Sequence, residues 1–171
     1  MDGRYLLYQD LDPKTGYDLW VLPMEGDRKP VVVIRTEFSE RDGAFSPDGK
    51  WIAYTSDEGG RTEIYVQPYP ATGAKWQVSK NGGHGPRWRR DGKELFWLEV
   101  DGTMMSAGVS AGKAFQPGIP VALFETGIVS ILESFSVGAD GQRFLLPLPV
   151  GGTSGPMPAT LVQNWLAGAR R

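Results

Sequence analysis

The apolar positions of this chain come in short runs. The clearest are DLWVLP from Asp18, WIAYT from Trp51, EIYVQP from Glu63, ELFWL from Glu94 and RFLLP from Arg143. Each is rich in aromatic and β-branched residues and is bounded by Gly, Pro, Asp or Asn, the pattern of a strand between turns. Runs such as WIAYT carry no alternating polar face, so they predict strands buried on both sides. The turn before that run, Ser46-Pro47-Asp48-Gly49, has its own logic: Pro47 sets φ and Gly49 supplies a positive φ without steric cost.

That turn recurs. Asp2-Gly3, Asp48-Gly49, Asp91-Gly92 and Asp140-Gly141 lie 46, 43 and 49 residues apart. The segments DGRYLLYQ, DGKWIAYT, DGKELFWL and DGQRFLLP align without gaps. Four residues after each Asp stand Leu6, Ile52, Leu95 and Phe144, and six after stand Tyr8, Tyr54, Trp97 and Leu146. Three before the last three stand Phe45, Trp88 and Val137. Asp101-Gly102 falls inside a unit and reads as a hairpin turn.

A period in the forties with up to four strands predicts an all-β chain of antiparallel β-propeller blades. An immunoglobulin-like sandwich also turns every few residues, but it does not repeat one turn and its flanks four times. The expected units are about 1–37, 38–80, 81–127 and 128–171, in one domain spanning 1–171. In the second unit the strands are expected at Gly43–Ser46, Lys50–Ser56, Glu63–Pro68 and Lys75–Ser79. In the third they are expected at Pro86–Trp88, Glu94–Leu98, Thr103–Val109 and Val121–Phe124. The first unit starts at its second strand, with Arg4–Gln9, Asp18–Pro23 and Val31–Arg35. The fourth has Ser134–Val137, Arg143–Pro147 and Ala159–Trp165. Units lacking a strand at both ends leave three outcomes: part of a larger ring, a small closed ring, or two copies completing one another as a homodimer through their open edges.

GAFSPDGKWIAYTSDEGG and GPRWRRDGKELFWL resemble the SPDGK repeats of TolB-type, WD-like propellers. The run from Arg61 to Trp97, RTEIYVQPYPATGAKWQVSKNGGHGPRWRRDGKELFW, resembles the C-terminal propellers of some bacterial serine/threonine protein kinases, and so does the ending TLVQNWLAGARR. The likeness covers nearly the whole chain and is strongest from Gly43 to Leu98. It implies a sensory or interaction module in an extracytoplasmic setting, with a protein, peptide or small ligand as partner. The fourth unit departs from the pattern, with GADG in place of SPDG and a Pro-Gly-rich stretch at Pro149–Pro158. The kinase machinery is not in this sequence: there is no G-x-G-x-x-G loop and no H-R-D segment.

Composition narrows the chemistry further. The chain has 171 residues, a net charge of −2 and no cysteine, which removes thiolate nucleophiles, disulfides and Cys-ligated zinc. No general basic field exists to draw nucleic acid. No apolar run approaches the ~18 residues that would predict membrane insertion. The single histidine, His84, stands in NGGHGPRW, where a surface loop is the plain reading. Asp10, Asp12 and Asp18 fit a polar hairpin better than a calcium loop, because Lys14 takes a ligand position. Arg87-Trp88-Arg89-Arg90 mixes basic and aromatic residues, but Trp88 falls on a repeat core position. No cofactor is expected.

Seven residues before the repeat Asp stand Arg41, His84 and Glu133, all polar and all different. That position starts the innermost strand beside the central channel. A ligand-facing rim is expected there, with Glu40, Asp42, Asn81 and Arg87 as neighbours. The expected function is a non-catalytic binding or sensory scaffold. Two alternatives stand beside it: an accessory, gating propeller of a prolyl-oligopeptidase-like hydrolase, and catalysis by the channel carboxylates Glu40, Asp42 and Glu133.

Overall fold

In the computed structural model, residues 3–111, 114–128, 135–147 and 159–163 are described, and every regular element among them is a strand. The first sheet is β1 (Tyr5–Asp12), β2 (Gly16–Pro23) and β3 (Val31–Ile34), in that order. The second is β4 (Glu40–Phe45), β5 (Trp51–Ser56), β6 (Glu63–Pro68) and β7 (Trp76–Gln77), a four-stranded antiparallel meander. The third holds β8 (His84–Trp88), β9 (Glu94–Leu98), β10 (Thr103–Ala111), β11 (Phe115–Pro117) and β12 (Val121–Glu125). The fourth is β13 (Ser136–Val137), β14 (Arg143–Pro147) and β15 (Ala159–Gln163). These are antiparallel β-propeller blades, as the repeat predicts.

One departure concerns the outer edge of the third sheet. A single outer strand at Val121–Phe124 is expected, yet β10 runs to Ala111 and meets two short partners. Thr103–Ser106 pair with β12, while Val109–Ala111 pair with β11. Phe115 of β11 is buried against Trp51, Trp76 and Trp88, and its ring lies 5.4–6.3 Å from theirs. This extra hairpin therefore inserts an aromatic peg between two blades.

The repeated turn is built the same way each time. Gly49, Gly92 and Gly141 all have φ of 72°, and each donates its N–H to the carbonyl three residues back, at 2.9 Å. The Asp carboxylate then accepts the N–H two residues on: Asp48 from Lys50, Asp91 from Lys93 and Asp140 from Gln142. Asp is used because its short side chain closes this loop, and Gly because the next residue is left-handed.

Strand parity sets the packing. In β5, Ile52 and Tyr54 join a cluster with Leu19, Val21 and Ile34 of the first sheet. Their alternates Trp51 and Ala53 join Leu95, Trp97 and Met105 of the third. In β9, Phe96 and Leu98 turn instead to Phe144 and Leu146 of the fourth. Successive side chains point to opposite faces, so one strand feeds two interfaces. The first sheet breaks this symmetry. Leu6, at the repeat position of Ile52, is 50% exposed, and Val32 on the same face is 43% exposed.

Candidate functional site

Two innermost strands, β4 and β8, run side by side in neighbouring blades. Each carries a bulge near its start. In β4 it lies between Arg41 and Ala44, and in β8 between His84 and Arg87. Arg41 pairs with Thr55 and His84 with Leu98, which are equivalent places in the repeat. The bulge residues Asp42 and Gly85 both take positive φ, 55° and 63°. Gly43, next in β4, is required for space: a Cβ there would sit 2.9 Å from Leu7 Cδ2 and 3.1 Å from Leu19 Cδ1.

Between these strands and the first sheet lies a cavity of about 200 Å³, lined by Gln9, Tyr17, Arg41, Asp42, Thr55, Thr62 and His84. Arg41 lays its guanidinium over the Tyr17 ring, 4.7 Å from the centroid, and its Nε donates to Ser39 Oγ at 3.0 Å. The Asp42 N–H donates to Gln9 Oε1 at 2.9 Å, and Thr55 Oγ1 donates to Asp42 Oδ2 at 3.2 Å. His84 is 4% exposed, and neither ring nitrogen has a hydrogen-bond partner. Burial holds its imidazole below the ordinary value, with the Asp42 carboxylate pulling the other way, so the ring is neutral near pH 7.

The cavity thus joins three of the expected rim residues: Arg41, Asp42 and His84. Arg87 lies behind it. Its Nε donates to the Phe135 carbonyl at 3.3 Å and its Nη1 to the Pro86 carbonyl at 2.9 Å, and its guanidinium packs 5.8 Å from the Phe135 ring. Glu40 corrects the expectation. It is 1% exposed, does not line the cavity, and accepts a 2.6 Å hydrogen bond from Thr36 Oγ1. Strand alternation explains this, since Glu40 precedes the bulge and so points to the face opposite Arg41, whereas Asp42 lies within the bulge. Burial raises its carboxyl above the ordinary range, and the nearby Asp18 adds to the effect. Asn81 is an exposed turn residue outside the cavity. Glu133 lies outside the described residues. Gln9, Tyr17, Thr55 and Thr62 were not legible as site residues, because none stands out in the repeat alignment.

The surroundings carry other chemistry. Arg89 of the basic run is tied to Asp91 at 2.7 Å and to Glu94 at 2.9 Å. Asp12 and Asp18 both face Arg35. Among the described residues no group of three or more His, Asp or Glu is placed to hold a metal, and no helix is long and apolar enough to cross a membrane.

No protein-family model matches the sequence, and no curated protein matches it either. Solved structures do. A structure described as TolB of Agrobacterium tumefaciens is 14% identical, with a TM-score of 0.57 over 71% of this chain and 47% of its own. A puromycin-hydrolysing peptidase of Mycobacterium tuberculosis is 19% identical, with a TM-score of 0.59 over 94% of this chain and 27% of its own. A prolyl endopeptidase structure is 16% identical, with a TM-score of 0.53 over 85% of this chain and 25% of its own. The chain therefore spans between a quarter and a half of the length of these structures. At such identities the likeness is one of architecture: the chain folds as β-propeller blades, as the structure described as TolB does.

Proposed function

We propose that this chain is a non-catalytic binding module that presents the inner ends of its blades to a partner, and that the cavity between β4 and β8 is the contact point. One observation carries the reading. His84 is buried with both ring nitrogens unpartnered at the wall of a cavity that also holds Arg41 and Asp42. A buried polar group without a partner destabilises the fold by about 1–3 kcal/mol, and a partner that draws the ring toward the cavity would recover that cost. The fold alone does not choose the partner. The resemblance of Arg61–Trp97 to kinase-linked propellers supports a sensor role in a bacterial receptor-type kinase.

A second reading draws on the peptidase structures, of which this chain matches 27% and 25%. In it the blades form an accessory propeller that screens access to a hydrolase. The full gene separates the two, by encoding either a kinase or a hydrolase domain beside the blades. For the module itself, Arg41→Ala combined with His84→Ala is expected to abolish binding of the identified partner while the melting temperature is kept. Unchanged binding would overturn the contact point. Turnover by the 171-residue chain on peptide or ester substrates would overturn the non-catalytic assignment.

A further inference from the structure

The cavity between β4 and β8 contains polar groups that its own walls leave unmatched. Arg41 uses Nε on Ser39 and its face on Tyr17, and its terminal nitrogens have no partner among the described residues. Asp42 receives Thr55 on one oxygen, and its other oxygen has none there. These two residues are adjacent in sequence, opposite in charge and on the same cavity, yet no ion pair joins them among the described residues. His84 adds two unpartnered nitrogens.

The backbone makes Asp42 the most telling of the three. Its φ is 55°, a region that most L residues avoid, that glycine accepts freely and that Asp tolerates at some cost. The aligned residue of the next blade is Gly85, with φ of 63°. The bulge therefore needs a left-handed residue at this point, and glycine would satisfy it. A carboxylate stands there instead, and it faces the cavity. The Thr55 hydrogen bond occupies one of its oxygens and leaves the other for the cavity.

The two charges restrict the ligand. A plain anion on Arg41 would meet Asp42, and a plain cation on Asp42 would meet Arg41. Volume restricts it again. At about 200 Å³ the cavity is below the roughly 300–1,000 Å³ of drug-sized ligand pockets, so it suits a small solute. A peptide end brings only one charge into so small a space.

We propose that this cavity binds a small zwitterion of the α-amino-acid class, with its carboxylate on Arg41 and its ammonium on Asp42, and with the His84 ring as part of the wall. This rests on the reading of the rim as a binding site. The test is calorimetric titration of the 171-residue chain with each common L-amino acid, then with the N-acetyl and carboxamide forms of any that bind. Each is repeated on Arg41→Gln and Asp42→Gly. Asp42→Gly installs the residue already present at the aligned position, so the fold is kept and its melting temperature verifies this. The expected result is that each blocked form binds at least about tenfold more weakly than its parent, the weight of one charge-assisted hydrogen bond. Arg41→Gln no longer distinguishes the acid from its amide, and Asp42→Gly no longer distinguishes the free amine from its acetylated form. The proposal is overturned if no amino acid binds at millimolar concentration, or if blocked forms bind as well as their parents. Loss of an identified protein partner by the Arg41 and His84 alanine variants would then still support the rim as a binding surface, so the two readings fail separately.

Discussion

Asp42 and Gly85 occupy the same point of the repeat and share a left-handed backbone, with φ of 55° and 63°. Because the conformation belongs to the bulge, the residue type decides the strain. Gly85→Ala is expected to cost about 1–2 kcal/mol from φ alone, since the nearest atom to the added Cβ, in Phe135, is 3.8 Å away. Asp42→Gly is expected to leave stability within about 1 kcal/mol of the parent, because relief of strain offsets the lost Thr55 bond. Urea denaturation of the two variants checks both.

His84 and Glu40 are expected to tilt the pH dependence of stability in opposite directions. Burial lowers the His84 pKa, so its contribution is full above the ordinary 6.5 and is lost as pH falls through the depressed folded value. Burial raises the Glu40 pKa, so its contribution is full below the ordinary 4.5 and is lost as pH rises through the raised folded value. His84→Gln should therefore remove a loss on acidification, and Glu40→Gln should remove a loss on raising the pH. Unfolding free energies measured from pH 4 to 8 for each variant would show either slope unchanged if the assignment is wrong.

The repeat alignment supplies a matched pair. Ile52 is fully buried and Leu6, its counterpart one unit earlier, is half exposed. Ile52→Ala is expected to cost about 2–5 kcal/mol, and Leu6→Ala no more than about 0.5 kcal/mol for the chain on its own. If a second copy covers the Leu6 face, the cost of Leu6→Ala grows with protein concentration. Light scattering beside the denaturation curve distinguishes the cases.

Trp88 does two jobs at once. It packs on Phe115 and donates its indole N–H to the Ala44 carbonyl of the neighbouring blade, at 3.0 Å. Trp88→Phe keeps a ring in the interface and removes that hydrogen bond. A loss of about 1 kcal/mol is expected. No loss would mean that the inter-blade hydrogen bond contributes nothing.

The repeat was legible because its chemistry is local. Asp-Gly pairs close the same turn wherever they fall, and the apolar positions four and six residues later follow from strand parity. The split outer edge of the third blade was not legible, since β11 holds one buried residue, Phe115, beside Gln and Pro. For the site, alignment brought Arg41 and His84 to equivalent places, and the structure sets them on one cavity. It missed Tyr17 and Gln9, which arrive from another sheet through packing that no local pattern encodes. Asp42 was named for its position, but its backbone was hidden, because in Arg41-Asp42-Gly43 the glycine looks like the left-handed residue. Gly43 is there instead to clear Leu7 and Leu19.

Every residue of β5 is buried, so the strand has no side facing water. Whatever changes a lineage of such proteins accumulates, they cannot be written along its length without disturbing one neighbour or the other. The more open positions lie near the starts of the inner strands, where Arg41 is half-buried. Folding of β5 and the chemistry of the cavity are therefore carried largely by different side chains: those of Trp51–Tyr54 fill the interfaces between blades, and Arg41 and Asp42 line the cavity.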